Sequence, residues 1–103
     1  MADLDPRRQQ LWQLQDFTDG HGLEIGPLHD AIVRKDQADV RYVDIVDQTG
    51  LRAHYQDHAG IPVEAIPEID YPLTQPDGRI VSLAEATRAG APFDWVVASH
   101  VGV

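Results

Sequence analysis

The sequence contains no cysteine, a single lysine and no long apolar run. The absence of cysteine excludes structural disulfides, Cys-based zinc sites and a thiol nucleophile. No apolar stretch approaches the ~20 residues that a membrane-spanning helix needs. Asp3 and Asp5 stand where a secretory signal peptide would carry basic residues. These features predict a cytoplasmic protein that makes no contact with a membrane.

Basic side chains are scarce, with 8 against 17 acidic ones, and the formal net charge is −9. A surface that binds nucleic acid needs clustered Lys and Arg to displace counterions from the phosphates. We therefore expect no nucleic-acid partner. The 103 residues, 43% of them hydrophobic, suffice for one globular domain with a small core.

Strand-like and helix-like segments alternate along the chain after a first helix. That helix is predicted from Pro6, with Asp5 as its N-cap, to about Phe17. The predicted strands are Leu23–Gly26, Val40–Asp44, Ile66–Asp70 and Phe93–Ser99, and the predicted helices between them are Pro27–Arg34, Thr49–His58 and Ser82–Ala89. We divide the chain into an N-terminal helix and lead-in, residues 1–21, and a partial sheet domain, residues 22–103.

Alternating strands and helices predict a parallel sheet with right-handed crossovers. Pro67 cannot donate to a strand ladder, so the third strand belongs at an edge. Trp95–Ala98 is continuously apolar, which is typical of a strand covered on both faces in the middle of a sheet. Both features fit the doubly wound strand order 3-2-1-4. We predict an α/β fold with a Rossmann-like, doubly wound parallel sheet of about four strands.

Four strands are about half of a six- or seven-stranded sheet, because each βαβ unit takes ~30 residues. If the chain ends at Val103, its fourth strand is an exposed apolar edge that favours pairing. We therefore expect the front portion of a larger fold, either truncated or paired with a partner, including a homodimer through this edge.

Polar side chains stand at the ends of the predicted strands. Ligands of such sheets bind outside the carboxyl ends of the strands, where the order reverses between strands one and four. Asp44 follows Gly26 by 18 residues, close to the ~20 expected of an acid that binds ribose hydroxyls. Glu24, Asp70 and the pair Ser99-His100 mark the other strand ends.

The loop after the first strand distinguishes between cofactors. Gly26 is not followed by the second and third glycines of the Gly-x-Gly-x-x-Gly pattern that a dinucleotide site needs. A diphosphate near Glu24 and Asp30 would also meet like charge. We therefore expect an adenosine ligand that has no phosphates and carries positive charge. S-adenosylmethionine, with its sulfonium, fits this description, and a nicotinamide-dependent oxidoreductase is disfavoured.

Four motifs, in this order, resemble the class I S-adenosylmethionine-dependent methyltransferases, above all the branch whose first motif reads Glu-Ile-Gly-Pro. They run from about Gly22 to Val101 and comprise Leu23–Pro27, Val40–Asp44, Ile69–Tyr71 and Phe93–Val101. The resemblance implies that Glu24 and Gly26 lie near the methionine portion of the cofactor. It also implies that Asp44 holds the ribose hydroxyls and that Asp70 lies near the adenine amino group. Ser99 and His100 would then line the mouth of the pocket.

Two positions depart from the family pattern. Leu28 stands where many of these methyltransferases have a further glycine. After Ser-His-Val the family continues with an apolar residue, Glu and His into another helix, whereas this chain reads Gly102-Val103. The resemblance therefore implies the cofactor-binding half of a methyltransferase, active only if the missing half is supplied, with the methyl acceptor left open.

Other interpretations of these residues stay open. The chain also fits a catalytically inactive fragment or an interaction module that pairs through its fourth strand. Asp44 and Asp70 are also compatible with acids that simply start turns. A buried Glu24 needs a partner, and loop amides would provide one. His54 and His58 are four residues apart on a predicted helix, but no third ligand is evident, so we predict no metal site.

Overall fold

The computed structural model describes residues 6–98 of the chain. Its helices are α1 (Pro6–Leu14), α2 (Gln48–Tyr55) and α3 (Leu83–Ala86), with short 3-10 turns at Val63–Ala65 and Arg88–Gly90. Its strands are β1 (His21–Ile25), β2 (Asp39–Asp44), β3 (Tyr71–Pro72) and β4 (Trp95–Ala98). No helix within these described residues is long and apolar enough to cross a membrane.

The four strands form one parallel sheet in the order β3-β2-β1-β4. The predicted α/β class, the parallel arrangement and the order 3-2-1-4 are therefore confirmed. The prediction that the fourth strand is covered on both faces is wrong for the described part of the chain. Trp95 is buried, but Val96, whose side chain projects from the opposite face of β4, is 56% exposed.

The main core lies on one face of the sheet, between the strands, α1, the segment after β1 and α2. Phe17, which lies beyond the end of α1 rather than inside the helix as predicted, is 3% exposed in this core. The other buried members of the cluster are Leu28, Ala31, Ile32, Val33, Val40, Tyr42, Leu51, Ile66, Ile69 and Trp95. The segment after β1 therefore contributes four of the buried core residues, Leu28, Ala31, Ile32 and Val33.

The prediction of a helix over Pro27–Arg34 is wrong, because these residues form turns and bends. Leu28 has a φ of 52°, which places its backbone in the left-handed region and interrupts any right-handed helix. The backbone groups of residues 31–33 bond to side chains from other elements instead of to each other. Tertiary contacts thus replace the internal hydrogen bonds of a helix in this segment.

The third strand begins later than the predicted Ile66–Asp70, since β3 consists of Tyr71–Pro72. Its short length has a local cause. Pro72 has no amide hydrogen, so it cannot donate to the next carbonyl of β2. The amide of Leu73 donates to the carbonyl of Asp44 instead, at 2.9 Å. The edge position that a proline favours was predicted correctly, although a different proline occupies the strand.

The caps of the later helices explain where they begin. Asp47, rather than the predicted Thr49, caps α2, and its side chain accepts from the amide of Gly50 at 2.9 Å. The predicted cap of α3 is confirmed, because the hydroxyl of Ser82 accepts from the amide of Glu85 at 3.1 Å. This helix is shorter than predicted and gives way to a 3-10 turn before β4.

Candidate functional site

Two of the predicted site residues lie in one row of the sheet, below the carboxyl ends of the strands. Glu24 of β1 is in register with Tyr42 of β2, and the amide of Asp70 donates to the carbonyl of Tyr42 at 3.0 Å. The side chains of Glu24 and Tyr42, in register on parallel strands, project from the same face. Asp70 directly precedes β3, and its carboxylate bonds to the backbone amide of Tyr42. This face carries the segment that follows β1, and all three side chains of the row help to fix that segment or the turn after it.

Glu24 is fully buried, with 0% exposure. Its two carboxylate oxygens accept hydrogen bonds from the amides of Ile32 and Val33, each at 2.8 Å. Bonds to an ionised acceptor are about twice as strong as neutral ones. The loop amides are therefore partners for this carboxylate, as the sequence suggested, and Glu24 sets the path of the backbone after β1.

The carboxylate of Asp70 accepts hydrogen bonds from two different parts of the protein. Its carboxylate accepts from the amide of Tyr42 at 2.8 Å and from the Nζ of Lys35 at 2.6 and 2.8 Å. The ammonium of Lys35 also lies 5.1 Å from the centre of the Tyr42 ring. Asp70 therefore ties the turn before β2 to the start of β3.

Tyr42 completes the row from the middle of the sheet. Its hydroxyl donates to the carbonyl of Val33 at 2.8 Å. Burial, followed by the negative charges of Glu24 and Asp70, raises the pKa of Tyr42 above its usual value. The phenol consequently stays neutral and keeps its proton for this hydrogen bond.

Asp44 occupies a different position, at the carboxyl end of β2. It is half-buried, and one of its oxygens accepts from the amide of Ile45 at 2.7 Å. Beside it is a cleft of about 360 Å³ at the ends of β1, β2 and β3, lined by Ile25, Val43, Asp44, Ile45, Leu73 and Leu83. Among these lining residues, Asp44 has the single ionisable side chain. The cleft is thus an apolar slot with one carboxylate at its rim.

A second cavity of about 290 Å³ lies on the α2 side of Asp44 and Ile45 and is also lined by His54 and Tyr55. The rings of His54 and His58 stack with their centroids 5.8 Å apart. Within residues 6–98, no three His, Asp or Glu side chains are grouped closely enough to hold a metal ion. This cavity therefore offers an aromatic wall but no metal centre in the described part of the chain.

The loop after β1 starts with two residues in the left-handed backbone region. Gly26 has a φ of 69°, and its amide donates to the carbonyl of Val43 at 2.8 Å. Leu28, which stands where the resemblance suggested a glycine, has the glycine-like φ of 52°. This backbone costs a non-glycine residue about 1–2 kcal/mol. Burial of the leucine side chain offsets that cost, since only 9% of it is exposed.

The structure thus separates the predicted site residues into two groups. Gly26 and Asp44 lie at the carboxyl ends of their strands, and Asp44 lines the cleft, whereas Glu24 and Asp70 lie two residues lower in the sheet and do not line it. Ser99 and His100 lie outside the described residues. Sequence reasoning missed the apolar walls Ile45, Leu73 and Leu83. The signal available for Ile45 was its position directly after the acid that ends a strand.

Comparison of the chain with protein-family models, curated proteins and solved structures finds no match. The features of this chain that indicate a function are the cleft, the loop after β1 and the net charge of −9.

Proposed function

We propose that the chain binds S-adenosylmethionine and forms the cofactor-binding half of a class I methyltransferase. The observation that supports this proposal is the apolar cleft with the single carboxylate of Asp44 at the ends of β1, β2 and β3. Ligands of doubly wound sheets bind at this end of the strands. A carboxylate can accept hydrogen bonds from ribose hydroxyls, while apolar walls such as Ile45 and Leu73 suit the faces of adenine.

The loop after β1 favours a ligand without phosphates. A pyrophosphate is normally held by free backbone amides at this position. Here the amides of Gly26, Ile32 and Val33 donate to acceptors within the protein, namely the carbonyl of Val43 and the carboxylate of Glu24. The net charge of −9 also disfavours a polyanion and favours a cationic ligand. Both observations support a sulfonium nucleoside over a dinucleotide.

The residues beside the cleft would bind and orient this cofactor. Asp44 would hold the ribose, and Ile45 and Leu73 would flank the adenine. When bound, S-adenosylmethionine supplies a methyl group on a positively charged sulfur. Methyl transfer by in-line displacement would require that the acceptor be held in line with this methyl group. Such a displacement depends chiefly on positioning, which is the task that this half of the fold would perform.

Titration calorimetry with S-adenosylhomocysteine tests the proposal. The wild-type chain is expected to bind, and Asp44→Asn is expected to weaken binding roughly 10- to 100-fold. The substitution removes the charge from a hydrogen bond to the ribose, and such bonds contribute about 1.5–3 kcal/mol. The ratio of the two dissociation constants is the measurement.

Asp57→Asn is the matched control, because Asp57 is an exposed acid beyond the end of α2 that does not line the cleft. It makes the same change of charge and should leave the affinity within about twofold. Equal weakening by both variants would mean that only the net charge matters. A folded wild-type chain that binds NADH, but not S-adenosylhomocysteine, would replace the proposal with the nicotinamide interpretation.

A second candidate function, pairing through β4, has one specific observation in its favour. Among the described residues β4 hydrogen-bonds only with β1, and Val96 on this edge strand is 56% exposed. Apolar edge strands favour pairing with another chain. A dimer in sedimentation that does not bind S-adenosylhomocysteine and that Val96→Lys converts to a monomer would favour this function. A monomer that binds the nucleoside would exclude it.

A further inference from the structure

Two side chains of α1 reach the loop that follows β1. Arg8 is 2% exposed, and its Nε donates to the carbonyl of Ala31 at 2.9 Å. Its terminal nitrogen bonds to the same carbonyl and to the carboxylate of Asp30. One turn further along the helix, the indole Nε1 of Trp12 donates to the carbonyl of Ile32 at 2.9 Å. Side chains of α1 therefore donate hydrogen bonds to two consecutive carbonyls of this loop.

Side chains of the sheet bond to three further backbone groups of the same stretch. Glu24 accepts from the amides of Ile32 and Val33, and Tyr42 donates to the carbonyl of Val33. The short stretch from Ala31 to Val33 is thus held on one side by α1 and on the other by the central strands. Buried backbone groups need such partners, and here side chains supply them in place of a helix.

A chain of aromatic rings connects α1 with β4. Trp12 contacts Phe17 edge-on with ring centroids 5.0 Å apart, and Phe17 contacts Trp95 edge-on at 4.8 Å. Each such pair adds stability beyond the area that it buries. The position of α1 relative to the sheet is therefore fixed independently of its hydrogen bonds to the loop.

We propose that α1 is the positioning element of the loop over residues 26–33, with Arg8 and Trp12 as positioning residues. By holding the carbonyls of Ala31 and Ile32, they keep this loop in one conformation beside the carboxyl ends of β1 and β2. A loop that is ordered in advance costs less entropy when a ligand binds. The consequence for ligand affinity rests on the proposed function, whereas the ordering of the loop does not.

The matched variants Trp12→Phe and Trp95→Phe test this inference. Both replace an indole with a phenyl ring in the same aromatic chain. Only Trp12→Phe removes a hydrogen bond to the loop, because the Nε1 of Trp95 has no partner among the described residues. The first readout is amide hydrogen exchange, followed by NMR, at Ile32 and Val33. The amide of Leu51 in α2, which donates to the carbonyl of Asp47, serves as the reference.

Trp12→Phe is expected to raise the exchange rates of Ile32 and Val33 roughly 3- to 10-fold relative to Leu51, which corresponds to one lost hydrogen bond. Trp95→Phe is expected to change all three rates by the same factor. Arg8→Lys, which keeps the charge but loses the planar fork, should act like Trp12→Phe. Gln10→Ala on the exposed side of α1 should have no local effect.

The second readout is the affinity for S-adenosylhomocysteine, which should fall about 3- to 10-fold in Trp12→Phe and Arg8→Lys. Unchanged relative exchange at Ile32 and Val33 in both variants would overturn the positioning role. Raised exchange at Ile32 and Val33 with unchanged affinity would overturn the expected effect of α1 on ligand binding. If the wild-type chain does not bind the nucleoside while the exchange pattern is as expected, the proposed function fails and the positioning role stands.

Discussion

Replacing Glu24 with glutamine is expected to lower the free energy of unfolding by roughly 2–4 kcal/mol. The carboxylate is fully buried, and each of its oxygens accepts one amide hydrogen at 2.8 Å. A glutamine side chain has only one oxygen, so its NH₂ group would face the second amide. Two donors would then oppose each other at a fully buried position. Urea denaturation of both proteins measures the difference.

Glu64→Gln is the control for this substitution, because Glu64 is exposed in a short 3-10 turn. It should change the stability by less than about 0.5 kcal/mol, as surface substitutions usually do. Domains of this size are stable by only about 5–15 kcal/mol, so the loss at Glu24 would be a large fraction of the total. Coinciding denaturation midpoints for the two variants would refute the buried role of Glu24.

Gly22→Ala is expected to destabilise the protein by about 3 kcal/mol or more. Gly22 of β1 is in register with Trp95 of β4, and a Cβ atom at Gly22 would come closer than 3.0 Å to three atoms of the indole. The indole cannot move aside, since it is 8% exposed and packs against Phe17. Thermal or urea unfolding of the variant checks this expectation.

Two comparisons isolate the clash from other effects of losing a glycine. Gly78→Ala places a Cβ where nothing lies within 4 Å, although its φ of 87° makes alanine strained there, so a loss of about 1–2 kcal/mol is expected. In the double variant Gly22→Ala/Trp95→Leu, the smaller side chain should recover part of the stability that Gly22→Ala loses. Strictly additive losses would show that the two positions are not coupled.

The parallel sheet could be predicted from sequence because the alternation of segments is a local signal. The two features used for the strand order, Pro67 within a strand and a fourth strand covered on both faces, do not hold in the structure. Alternating strand-like and helix-like segments indicate a parallel sheet wherever they occur. The segment over residues 27–34 could not be predicted in the same way. Its backbone partners, Glu24 and Arg8, stand 8 and 23 residues away from the groups they bind. A propensity pattern within a short window contains no information about such contacts, and it therefore favoured a helix.

The candidate site could likewise be predicted from sequence only in part. Asp44 was identified from its spacing to Gly26, and the structure places it at the rim of the cleft. Leu73 and Leu83 line that cleft although they follow Asp44 by 29 and 39 residues in the sequence, and short-range patterns do not reveal contacts over such separations. The assignment of Glu24 and Asp70 to cofactor binding stays a prediction. Both carboxylates already have protein partners, so any contact with a ligand would add to a structural task.

The sequence has one lysine, and it lies in the turn between β1 and β2. A lysine-specific protease would therefore cut a single peptide bond, after Lys35, and leave β1 on one fragment and the other three strands on the other. Because β1 lies between β2 and β4, the larger fragment would lack the strand that joins its own members. Mixing the two fragments would then show whether this sheet can reassemble by complementation, without the covalent crossover that normally links its central strands.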